Sequence, residues 1–195
     1  MTISSHFISR PLDRTTQHFT ARSLLPPKSD QVWRIESGIV RSMTWLEDGT
    51  NVVLGIWGAG STVGKPFSSR EPYQLECVTR VEATPIPLTG LTNFSEILLN
   101  HLHQAEALME IRSYKRVDFM LLQLLTWLAQ RFGQEVEQGI LIDLRFTHLD
   151  LADAIGATRV TVTRTLNQLQ QNGMIECLPL KRIIVHEERL WHYEI

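Results

Sequence analysis

Two hydrophobic periodicities divide the chain. From about Phe19 to Leu88, short apolar runs alternate with turn residues: FTARSLL, QVWRIE, IVRSMTWL, NVVLGIW, YQLECVT and VEATPIPL are candidate strands. The breaks between them include Pro26-Pro27, Ser37-Gly38, Asp48-Gly49 and Gly58-Ala59-Gly60, and Asp48-Gly49 is a strong hairpin signal. Evenly spaced short strands with glycine turns predict an antiparallel barrel or sandwich. From about Thr92 to Arg116 the period lengthens: Ile97, Leu98, Leu102, Ala105, Leu108, Met109 and Arg112 recur at three and four. A helix of that length either lies on its own β-domain or packs against its twin in a parallel pair. A second helix, Val117 to Arg131, carries Phe119, Leu122, Leu125, Trp127 and Leu128 around more than one face, which predicts burial. Phe132-Gly133 ends it, and GILIDLRF reads as a strand leading onward.

The next stretch, FTHLDLADAIGATRVTVTRTLNQLQQN, reads as two short helices separated by Gly156. Thr147 is placed to N-cap the first helix, with Asp150 three residues on in a capping-box pattern. Leu151, Ala152 and Ile155 form its core-facing stripe, Gly156 suits a positive φ at its end, and Thr158 suits the next N-cap. In the second helix Val162, Leu166 and Leu169 fall at i, i+4 and i+7 and face inward, leaving Arg159, Val160, Thr163 and Arg164 outward. Gly173 closes it. A short helix, a tight turn and a second helix with arginines near its N-terminus form the geometry that enters a DNA major groove.

Exposed arginines are more often ordinary solvated charges, so composition matters here. The chain has 195 residues and a formal net charge of -2, yet the helix from Arg159 to Asn172 carries two positive charges and no negative one. Its first turns are crowded with β-branched residues (Val160, Thr161, Val162, Thr163, Thr165), a poor choice on propensity alone. The following MIECLPLKRIIVH reads as a two-stranded ribbon: Met174 to Leu178, a turn at Pro179-Leu180, then Arg182 to His186, with Lys181 and Arg182 at the tip. This is a winged helix-turn-helix pattern. Thr158, Arg159, Val160, Thr161, Thr163 and Arg164, with Lys181 and Arg182 of the wing, are the candidate DNA contacts.

On these residues, 115–186 resembles the C-terminal part of CRP/FNR-superfamily transcription regulators. GATRVTVTRTL at 156–166 is especially similar to the recognition helix of the NtcA type of cyanobacterial nitrogen regulator, as is LIDLRFTHLDLADAIG at 141–156. The resemblance implies an α+β chain: a cupin-like antiparallel sensor β-roll, here truncated and beginning late, a long dimerisation helix and a winged helix-turn-helix. The implied organisation is a polar arm over 1–18, the β-domain over 19–91, the dimerisation helix over 92–116 and the DNA-binding domain over 117–195. It also implies double-stranded DNA, a second copy of the chain and RNA polymerase as partners, and a palindromic target with GTA and TAC half-sites.

Hydrophobic content of 43% and charged content of 21% are those of an ordinary globular protein. No apolar stretch approaches the roughly 18 residues of a membrane helix, and MTISSHFISRPLDR lacks a signal-peptide core, so a cytoplasmic location is expected. Cys77 and Cys177 stand alone in apolar contexts and read as small core residues; no cysteine cluster exists to hold an iron–sulfur centre of the FNR type.

Cyclic-nucleotide sensors of this superfamily carry a glycine-glutamate start, a short helix and an arginine-serine or arginine-threonine pair. The corresponding segment here is Gly64-Lys65-Pro66-Phe67-Ser68-Ser69-Arg70-Glu71-Pro72-Tyr73. Lysine replaces the glutamate and two prolines interrupt the backbone donors, which argues against cyclic AMP. NtcA-like sensors take 2-oxoglutarate with an arginine and a glutamate of the long helix. By that alignment Glu106 is kept while His101 stands at the arginine position, so the clamping charge depends on protonation. Gly64, Lys65, Arg70, His101 and Glu106 are therefore the candidate effector residues, and no cofactor is required. The rival non-enzymatic role is an effector-independent architectural DNA-binding dimer. Catalysis is not expected: the seven histidines form no ligand spacing, Gly58-Ala59-Gly60 precedes no phosphate loop, and no nucleophile elbow is present.

Overall fold

The computed structural model describes residues 15–186, so most of the expected N-terminal arm and the residues after His186 lie outside the described chain. Eight strands come first: β1 (Gln17–Phe19), β2 (Leu24–Leu25), β3 (Gln31–Ser37), β4 (Val40–Trp45), β5 (Asn51–Trp57), β6 (Thr62–Val63), β7 (Gln74–Cys77) and β8 (Val81–Pro87). They form two antiparallel four-stranded sheets, in the orders β1-β8-β3-β6 and β2-β7-β4-β5. Leu25, Trp33, Ile35, Val40, Trp57, Val63, Leu75, Cys77 and Val81, drawn from both sheets, share one core. The hairpin at Asp48-Gly49 forms as the sequence predicts: Gly49 has φ 83°, its amide donates to Leu46 O at 2.9 Å, and Asp48 Oδ1 accepts from Thr50 N at 2.9 Å.

One strand expectation needs correction, and one short strand is unexpected. FTARSLL is not one strand but β1 and β2 joined by a bend in which Ser23 N donates to Thr20 O at 3.2 Å and Arg22 takes φ 70°. That bend moves the chain from one sheet to the other, and Arg22 N donates to Cys77 O of β7 at 2.7 Å. The polar-looking β6 pairs with β3, a segment too short for alternation to mark.

Helix α1 (Phe94–Ser113) follows, then α2 (Val117–Phe132). Against its own chain α1 buries only Ile97, Gln104, Leu108 and Ile111. Gln104, 1 % exposed, donates to Ile56 O at 2.6 Å and accepts from Ile56 N at 3.4 Å, so its amide completes the edge of β5. Leu98, Leu102 and Met109 remain 44 %, 52 % and 69 % exposed, and with Ala105 they form a second stripe at spacings of four, three and four. Helix α2 is buried on several sides, as its sequence predicts, by Leu121, Leu122, Leu124, Leu125, Leu128 and Ala129.

The C-terminal part adds β9 (Gln134–Val136), β10 (Gly139–Ile142), α3 (His148–Ile155), α4 (Arg159–Gln171), β11 (Ile175–Leu178) and β12 (Arg182–Val185). The wing is larger than the ribbon expected, because β10 pairs with β12 and β9 with β10 to give the sheet β11-β12-β10-β9. Only Gly139–Ile142 of the strand expected at GILIDLRF is extended in that sheet; Arg145, at φ 53°, turns the chain toward α3. One hydrophobic core runs from Ile39, Val53, Ile56 and Val78 of the β-domain through α1 and α2 to Leu151, Val162, Leu166 and Leu169. The two halves are thus packed into one another.

Candidate nucleic-acid interface

The helix pair is built by its caps. Thr147 Oγ1 accepts from Asp150 N at 3.0 Å while Asp150 Oδ2 accepts from Thr147 N at 2.7 Å, closing a reciprocal capping box at the start of α3. Gly156 ends α3 at φ 72°, ψ 34°, a left-handed conformation that a Cβ would strain. Two residues on, Thr158 Oγ1 accepts from Thr161 N at 3.1 Å and caps α4. Val162, Leu166 and Leu169 are at most 2 % exposed, and this buried edge fixes the rotation of α4.

That rotation decides what points outward. Arg159 and Arg164 are exposed, Val160 is 78 % exposed, and neither arginine makes an ion pair among the described residues. Thr163 is half-buried: its hydroxyl donates to Arg159 O at 2.9 Å and lies 2.7 Å from His148 Nδ1, which therefore donates to it. This contact pins α3 to α4. His148 is the residue that sequence reasoning missed here, since nothing in its spacing marks a partner fifteen residues away. Burial and the neighbouring charges of Arg159 and Lys181 hold its pKa below the ordinary histidine value, so it stays neutral at pH 7. The charge of Lys181 is thus felt at His148, the first residue of α3. Lys181 is exposed at φ 61°, and Arg182 Nε donates to Pro179 O at 3.3 Å across the wing turn.

Among the residues aligned with an effector pocket, Lys65 and His101 already have partners within the protomer. Lys65 Nζ is 2.6 Å from Arg70 O and 2.6 Å from a Glu71 carboxylate oxygen, and lies over the Tyr73 ring. Gly64 abuts Val32, while Arg70 is exposed and only its carbonyl meets Lys65. His101 donates to Thr62 O at 2.8 Å between the rings of Trp57 and Phe67, centroids 4.2 and 4.5 Å away. Burial holds its pKa below the ordinary value, partly offset by that bond. Glu106 is exposed, five residues and more than a helical turn from His101, on the side of the Leu98–Met109 stripe.

The arrangement presents a capped, cationic helix end to solvent. Among the described residues no group of three or more His, Cys, Asp or Glu is placed to hold a metal ion, and no helix is long and apolar enough to cross a membrane.

The comparisons agree with this geometry. The Crp-like helix-turn-helix domain family matches residues 116–193. The regulatory protein CysR of Synechococcus elongatus is 39% identical over 173 residues, covering 87% of this chain and 84% of CysR. A global nitrogen regulator of Synechocystis is 38% identical over 175 residues, 81% of this chain and 77% of that protein. Among solved structures, FixK2 of Bradyrhizobium japonicum superposes with a TM-score of 0.78 at 18% identity, covering 93% of this chain and 97% of FixK2, a likeness of fold alone. The chain belongs to the CRP/FNR superfamily of helix-turn-helix transcription regulators.

Proposed function

We propose that the chain acts as a homodimer that reads a palindrome of GTA and TAC half-sites through α4. The observation carrying this reading is the outer face of α4: two exposed arginines, in no ion pair among the described residues, flank an exposed valine at a capped helix start whose inner face is locked in the core. Arginine is suited to bidentate contact with guanine, and a valine methyl to the methyl of thymine. Thr158 and Thr161 are placed to hold phosphates, with Lys181 and Arg182 reaching flanking phosphates from the wing. The second apolar stripe of α1 supplies the twofold contact, and half-sites then fall about one helical turn, roughly 34 Å, apart. RNA polymerase is the further partner of such a regulator. Fluorescence anisotropy should show a duplex with GTA and TAC arms bound at least about a thousandfold more tightly than a shuffled one. Equal affinities would contradict the reading.

The β-domain is proposed not to take cyclic AMP. Lys65 is committed to Arg70 O and Glu71, and Pro66 and Pro72 remove two backbone donors from the segment where a phosphate would need them. Calorimetric titration with cyclic AMP should give no heat, whereas saturable binding in the micromolar range would show that the segment rearranges. The neutral, engaged His101 likewise favours an effector-independent dimer over a 2-oxoglutarate clamp with Glu106. On that second reading, DNA affinity is the same with and without 2-oxoglutarate; a rise on adding it would restore the clamp.

A further inference from the structure

Helix α3 is held at both ends by arginines from outside the DNA-binding half. At its N-terminus Arg22 makes a bidentate pair with Asp150, at 2.8 and 2.6 Å. Arg41 of β4 reaches the same carboxylate at 3.0 Å, Glu76 of β7 at 2.6 Å and Asp153 at 3.5 Å, and Asn51 of β5 donates to Asp153 at 3.3 Å. At its C-terminus Arg112 of α1 donates to Ala154 O at 2.8 Å and to Val53 O of β5 at 2.6 Å. The centre of the cluster is internal: the side chains of Arg41 and Asp150 are 8% and 3% exposed.

Three physical points give this cluster a purpose. Asp150 is also the N3 member of the capping box of α3, so one carboxylate both closes the helix start and docks it. Arg22 sits at φ 70°, a conformation unfavourable for a side chain with a Cβ, and it is kept where the guanidinium meets Asp150 squarely. Finally, α3 is joined to α4 by the His148–Thr163 contact and shared core, so whatever fixes α3 fixes the reading helix. None of these arginines touches the outer face of α4, which stays open.

We propose that Arg22, Arg41 and Arg112 are positioning residues for DNA binding: an ionic latch that sets the angle of the reading head against the β-domain and the dimer helix. A latch of this kind matters little to one head on one half-site. It matters when two heads must meet two half-sites at a fixed separation, so the inference rests on the dimeric, palindromic reading.

The test compares Arg22→Gln with wild type on a palindromic duplex and on a duplex carrying a single half-site. Arg22 is chosen because its side chain is 41% exposed and its loss leaves the Thr147 bonds to Asp150 in place. The expected result is about a tenfold fall in the preference for the palindrome with half-site affinity unchanged, the size of effect that coupling residues have. Arg22→Lys, which keeps the charge and loses the bidentate geometry, should fall between the two; it carries the same comparison if Arg22→Gln does not fold. Equal losses on both duplexes, or no loss on either while wild type keeps its preference, would overturn the latch alone. A wild-type protein with no preference for the palindrome would overturn the dimeric reading and the latch together.

Discussion

Leu102→Glu should give a folded monomer that has lost its hold on a palindromic site. Leu102 is 52 % exposed in the protomer and contributes nothing to the buried edge of α1, which consists of Ile97, Gln104, Leu108 and Ile111. The substitution therefore leaves the internal core intact. In a pair of α1 helices packed along Leu98, Leu102, Ala105 and Met109, it would place two like charges near the twofold axis without partners. Joining two heads raises affinity for a double site by about two to four orders of magnitude, and the monomer forfeits that gain. Sedimentation at micromolar concentration and a binding titration check both halves of this expectation. A dimer that survives the substitution, or an unchanged affinity for the palindrome, would place the twofold contact elsewhere.

Arg159→Ala should lose about 1–3 kcal/mol of binding free energy and relax preference at one base pair, the range for one bidentate contact. The residue is exposed, and its side chain enters no ion pair among the described residues, so its removal costs the fold little. Lys181→Ala makes the useful contrast. Set in the wing turn with its charge exposed, it should weaken all sequences about equally and lower the salt dependence of binding by roughly one phosphate contact. If both substitutions weakened every sequence alike, Arg159 would be a phosphate clamp and the proposed reading of bases would be wrong.

The parts of this fold that the sequence discloses are those specified by local chemistry. Thr147 with Asp150, Gly156 and Thr158 mark three helix ends within twelve residues, and Asp48-Gly49 marks the hairpin, because capping and turn geometry depend on neighbours along the chain. The buried and exposed sides of α4 follow from period alone. Long-range partnerships are another matter. Arg41 lies in a strand that reads as having one wet face, yet it is buried, because α3 covers that face and supplies two carboxylates. Its contact with Asp150 spans more than a hundred positions, and no spacing rule connects them. The break at Arg22 is hidden for the same reason: the bend answers to a carboxylate far along the chain. The joining of β10 to the wing depends on pairing between Ile142 and Ile183, both of which read equally well as isolated strands.

Selection of bound duplexes from a random pool bears most directly on the central claim, because it presupposes neither the half-site nor the symmetry. The expected enrichment is of a palindrome with GTA and TAC arms about one helical turn apart, recovered by the wild type and lost by Leu102→Glu. Enrichment of a single asymmetric motif, or of none, would contradict it.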